Sequence, residues 1–158
     1  MPWVDPELAW HELGHAFLIA GVHGARRVEI INNGAGLETR HHRRPTDVAI
    51  LEDEVATLVG GCVAERVIEG WSDTDIVTCI EIGWEPVATT IGRHDARTIE
   101  QLARARVIDW SKVAAEVSMA LPSLRRYLAS VNIRRVCNTL RALPVGTGVP
   151  IVFRLHES

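Results

Sequence analysis

Residues 9–17 read AWHELGHAF, and no other stretch restricts the fold as tightly. On a helix, His11 and His15 lie four positions apart, so their side chains share one face and reach a common point. Glu12 is turned about 100° from His11, close to that point without lying on it. Ala9, Leu13, Ala16 and Ala20 form an apolar stripe on another face, which buries the helix and leaves the imidazoles pointing into a cleft. In this HExxH arrangement two histidines bind zinc and the glutamate takes a proton from a metal-bound water. Asp5, Pro6 and Glu7 mark the start: an N-cap, a proline at the first helical position and an acid at the positive end of the dipole. The helix is expected to run to about Ala20, with Gly21 and Gly24 ending it.

Two imidazoles do not complete a zinc site, so a third ligand must come from another element packed across this helix. Residues 48–68 carry apolar side chains at 48, 51, 55, 58, 59, 62, 63 and 67, which is helical spacing. Gly60 and Gly61 in its middle lower helix propensity and predict the close approach of a neighbouring backbone. Gly70 stops this helix, and the SDTD cluster at 72–75 caps the next one ahead of Ile76, Val77 and Ile80. Two carboxylates therefore qualify. Glu65, beside Arg66 in an apolar helix, suits a buried group that orients others. Asp75 has a short stem and a charge stabilised at a helix N-terminus, and it is the favoured ligand.

Around these helices, residues 27–31 read as a strand, 32–36 as a turn and 37–41 as a returning edge strand. Pro86 is expected to kink or break a helix before Gly92. Two or three further helices fill 95–143, with Pro122 opening the last of them, and 151–155 reads as a short strand. The predicted class is mainly α with a small β-hairpin or sheet (α+β), as one domain over 1–143 followed by a C-terminal loop and strand over 144–158. A net charge of −3 gives no bulk attraction to nucleic acid or an anionic membrane. Residues 45–90 hold ten acidic side chains and one basic, whereas 91–141 hold ten basic and four acidic, read as solvated helix faces of opposite sign. The three cysteines are widely spaced without a CxxC pair, and Cys62 and Cys79, in apolar runs, are expected to be buried free thiols. The longest uncharged apolar run, 55–64, falls well short of the roughly 20 residues of a spanning helix. The N-terminus MPWVDPEL is unlike a signal peptide, so the expected setting is soluble and cytoplasmic.

Four blocks in order resemble the peptidase domain of the FtsH-type, membrane-anchored ATP-dependent zinc proteases. AWHELGHAF is similar to the zinc-binding helix, and RRVEIINNGAGLETRHHRRP to the strand, turn and edge strand bordering that family's cleft. LVGGCVAERVIEG is similar to its Gly-Gly helix with an acidic residue, and SDTDI to the segment that supplies an aspartate ligand. The likeness covers about residues 5–92. It implies an FtsH-peptidase-like zincin fold holding one Zn2+ per chain on His11, His15 and Asp75, with Glu12 activating water and Glu65 orienting the site. Departures are equally plain. There is no GxxxxGK[ST] loop, and Lys112 is the one lysine, so no ATPase motor is encoded here. The expectation is a stand-alone, shortened relative that relies on a separate ATPase or adaptor to unfold its substrates, with oligomers open.

The expected activity is that of a zinc metalloendopeptidase of the HExxH type, hydrolysing unfolded or extended polypeptides. The edge strand with Leu37, Glu38 and Thr39 would pair with substrate through main-chain hydrogen bonds. His41 or His42 is considered for the oxyanion, and His23, His94 and His156 as isolated histidines. Two alternatives stand beside this. One is a catalytically silent, zinc-stabilised interaction module. The other is a DNA-binding regulator using a helix-turn-helix-like segment at 111–128, with Arg125 and Arg126 facing the nucleic acid.

Overall fold

A computed structural model describes residues 5–24, 27–32, 37–40 and 50–152. Helix α1 (Pro6–His23) opens as the sequence predicts: the Asp5 carboxylate accepts from the Glu7 N–H at 2.8 Å, and Pro6 occupies the first turn. It runs one turn longer than expected. Gly21 is solvent-exposed within the helix, and Gly24, left-handed at φ 66°, makes the C-cap. Strands β1 (Arg27–Asn32) and β2 (Leu37–Arg40) follow, pairing antiparallel with Ile30 opposite Thr39.

Helix α2 (Leu51–Ile68) lies against α1, and glycines set their separation. A Cβ on Gly14 would come within 2.3 Å of the Gly60 carbonyl oxygen and 2.6 Å of Ala64 Cβ. One on Gly61 would strike the His11 ring at 2.5 Å. The Gly-Gly pair therefore does what its position in the periodic segment predicts, and lets an imidazole lie on a helix backbone. The expected start at Val48 falls outside the described residues.

Helix α3 (Asp73–Glu81) is capped by Ser72, and buries Ile76 and Ile80. It ends ahead of Pro86, at Gly83 and a left-handed Trp84, before a 3-10 turn at Glu85–Val87. Helix α4 (Arg93–Ala105) packs on α2 and buries Ile99. Helix α5 (Trp110–Ser130) buries Val113, Ala114, Val117, Leu121, Leu124 and Leu128, a stripe at helical spacing that packs on α2 and α3.

The helix-turn-helix reading fails at this point. Residues 111–128 form one continuous helix with Pro122 inside it rather than opening a new one. Pro122 is exposed, and so is Ser118, whose carbonyl loses its helical donor. Arg125 is committed elsewhere, donating to Asp73 at 2.5 Å and to the Trp71 carbonyl at 2.8 Å. Helix α6 (Ile133–Ala142) leads to β3 (Gly148–Val152), which begins earlier than expected and pairs antiparallel with β1. The chain is thus mainly helical with a small antiparallel sheet of order β2-β1-β3. Among the described residues β2 is an edge strand. All three cysteines are free; Cys62 and Cys137 are buried and Cys79 partly so. No described helix is long and apolar enough to cross a membrane.

Candidate metal centre

His11 and His15 project from α1 into the space between α2, β2 and α4, and both are buried. Each ring is fixed by its Nδ1. His15 Nδ1 lies 2.7 Å from the Thr57 carbonyl oxygen, which can only accept, so that nitrogen carries the proton. His11 Nδ1 lies 2.8 Å from Glu65 Oε2 and donates to the carboxylate. In the neutral rings both Nε2 atoms then carry lone pairs, and these face each other at 3.0 Å. Asp95 Oδ2 completes the cluster at 2.8 Å from His11 Nε2 and 3.0 Å from His15 Nε2.

Three acceptors thus converge within 3.0 Å of one another. Such a cluster is satisfied by an added proton or by a cation. With a proton, His11 becomes an imidazolium donating to Asp95. Burial alone would lower its pKa, but the Asp95 and Glu65 carboxylates outweigh that and push it up to about 9. His15 is raised by the same Asp95 carboxylate against its own burial. Burial would raise the Asp95 carboxyl, yet the hydrogen bonds and charges of His11 and His15 hold it well below the usual carboxylate range. With a cation, the two nitrogens and one oxygen form a donor set common at hydrolytic metal sites, and their separations are close to the roughly 3.3 Å edge of a tetrahedral site. The residues fit a metal.

Asp95 is the residue that sequence reasoning missed. Asp75, the expected ligand, is exposed, and its backbone N–H is capped by Ser72 Oγ at 3.1 Å. Helix α3 turns Ile76 and Ile80 toward the core, so its first-turn acids face away from the imidazoles, and Asp73 is held by Arg125. Asp95 satisfies the same criterion one helix later, as the acid in the first turn of α4.

What brings α4 to the imidazoles is a strap at 87–92. Arg66 donates to the carbonyls of Val87 (3.1 Å) and Ala88 (2.8 Å), pinning the strap on α2. Thr89 Oγ1 donates to Glu65 Oε2 at 2.5 Å, and the Gly92 N–H donates to Thr89 Oγ1 at 3.3 Å. A Cβ on Gly92 would come within 2.3 Å of Cys62 Sγ, so the absence of a side chain lets α4 begin against α2. Glu65 accordingly orients His11 and is itself oriented by Thr89. Two other groups also lie close enough for an ion: His11 and His15 with Glu12, which shares the Nε2 side, and His11 with Cys62 and Glu65. Burial pushes the Cys62 thiol up, however, and His11 Nδ1 is occupied by Glu65, so the Nε2 side is the better site.

Glu12 is buried in the same cleft, a cavity of about 490 Å³ whose walls include β2 (Leu37, Glu38, Thr39) and the start of α4 (His94, Asp95, Thr98). Burial pushes its carboxyl up, against the pull of His15 and the Thr39 hydroxyl. His94 lines this cleft without joining the acceptor cluster. His41, His42 and His156 and the side chain of His23 lie outside the described residues. No protein-family model, curated protein or solved structure matches the chain.

Proposed function

We propose that this protein is a zinc metallopeptidase that hydrolyses extended polypeptide segments, with a site of the kind its FtsH-type resemblance implies but with Asp95 as the third ligand. The observation that carries the reading is the convergence of His11 Nε2, His15 Nε2 and Asp95 Oδ2 within 3.0 Å, with Glu12 in the same cleft. His11, His15 and Asp95 would hold the ion. When bound, zinc supplies Lewis acidity and lowers the pKa of a coordinated water to about 7.

The chain's own residues supply the rest. Glu12 takes the proton of the attacking water and delivers it to the leaving amine. Its buried setting and raised pKa suit a group that must both accept and release a proton. Glu65 and the Thr57 carbonyl fix the imidazole tautomers so that both Nε2 atoms present lone pairs inward. The edge of β2 away from β1 pairs with the substrate main chain, giving affinity with little dependence on side chains. A cleft bordered by an edge strand suits substrates already extended, or delivered in that form by an ATPase or adaptor.

Metal analysis of the purified protein together with Glu12→Gln tests this. Stoichiometric zinc is expected in both proteins, with cleavage of an unfolded casein substrate reduced by about 10²- to 10⁴-fold in the variant. Zinc without cleavage in the wild type would leave the interaction module as the better reading. Equal cleavage in both would refute Glu12 as the base.

A further inference from the structure

Thr39 makes a contact that main-chain pairing of an edge strand does not require. Its Oγ1 lies 2.5 Å from Glu12 Oε2 and 3.3 Å from the Glu12 carbonyl oxygen. A hydroxyl has one proton to give, and the closer, carboxyl oxygen takes it. The pleat of β2 aims this side chain. Glu38 and Arg40 form an ion pair on one face of the strand, while Leu37 and Thr39 project from the other, where Leu37 packs on the core. A β-branched side chain on a strand has little χ1 freedom, so the hydroxyl is held in place.

We infer that Thr39 is the positioning residue of the general base. It ties Glu12 Oε2 and leaves Oε1 as the oxygen that receives the proton from water. The inference rests on the metallopeptidase reading and deepens it, because it assigns the two carboxylate oxygens different tasks. It also joins two functions in one residue. The backbone of Thr39 stands in register with Ile30 on the strand offered to substrate, while its side chain grips the base. A peptide that pairs along β2 is therefore registered against Glu12 through a single residue.

The test uses Thr39→Val, which keeps shape and branching but loses the hydroxyl, and Thr39→Ser, which keeps the hydroxyl. With zinc content matched to wild type, Thr39→Val is expected to lower kcat about 10- to 100-fold, the cost of a displaced reacting group, with KM changed less than about twofold. Thr39→Ser should recover most of kcat. A second readout is independent of turnover: melting of the metal-free protein in a double-mutant cycle with Glu12→Ala. Thr39→Val should lower Tm by a few degrees when Glu12 is present and by less than about one degree when it is absent. Wild-type kcat in Thr39→Val overturns the inference, and so does an equal Tm change in both backgrounds. A zinc-loaded wild type that cleaves nothing refutes the hydrolase reading and the positioning role with it, whereas a silent Thr39→Val beside an active wild type refutes Thr39 alone.

Discussion

Replacing Gly61 by alanine perturbs the proposed centre without touching a polar group. The added Cβ would stand 2.5 Å from His11 Nε2 and Cε1 and 2.7 Å from Cδ2. Carbon atoms in contact rest at about 3.5–4.0 Å, so ring or helix must retreat by about 1 Å. His11 holds Glu65 and Asp95 at 2.8 Å each, and a displacement of that size takes both beyond hydrogen-bonding range. Losing a partner that orients a ligand costs about 10- to 100-fold in metal affinity, and this substitution disturbs the ligand as well, so a loss of at least that size is expected. Stability should respond less. Overpacking costs about 1–3 kcal/mol, and replacing a mid-helix glycine by alanine returns up to about 1 kcal/mol, for a net loss of about 0–2 kcal/mol. Zinc affinity read by competition with a chromophoric chelator, beside urea unfolding in EDTA, separates the two effects. Gly21→Ala is the control: nothing lies within 4 Å of its Cβ, so it should stabilise α1 by about 0.5–1 kcal/mol and leave zinc binding unchanged. Wild-type zinc affinity in Gly61→Ala would refute the claim that His11 is clamped between α2 and Asp95.

Further expectations are direct. Asp95→Ala should abolish stoichiometric zinc while Asp75→Ala retains it, as read by metal analysis after gel filtration; the reverse result would restore Asp75 as the ligand. The metal-free protein should lose stability in alkali. The folded pKa of His11, about 9, exceeds its ordinary 6.5, so its contribution, on the order of 3 kcal/mol, is complete below pH 6.5 and disappears as pH rises through 9. Denaturant melts in EDTA at pH 6 and pH 9.5 check this sign. The zinc-loaded protein should behave oppositely and release metal as acid protonates the imidazoles, visible as a proton-dependent dissociation constant. Thr89→Val should weaken zinc binding up to about 10-fold, because Glu65 loses the hydroxyl that orients it.

Much of the fold is legible in the sequence because its signals are local. The capped α1, the glycine-paired α2 and the Ser72 cap of α3 each follow from a few neighbouring residues. The proline at 122 misleads for the same reason. Local propensity breaks a helix there, whereas the buried stripe from Val113 to Leu128 packs on two other helices and carries α5 through. His11, Glu12 and His15 are legible as a candidate site because all three sit on one helix. The third carboxylate is not, since an acid in the first turn of a helix describes Asp75 and Asp95 equally. What separates them is the path of the strap at 87–92, set by Arg66 and by the fit of Gly92 against Cys62, and those contacts join residues far apart in the chain.

Helix α4 has little hydrophobic anchorage of its own: Ile99 is the one residue of it buried from solvent, and its first turn bears the carboxylate that reaches the imidazoles. An ion gripped there would act as a rivet, fastening a loosely seated segment onto a pair of helices that already fit each other. On that reading α4 would dock last, onto an α1–α2 pair already closed, and the extent to which its amides resist exchange would gauge how much of the ion is at hand.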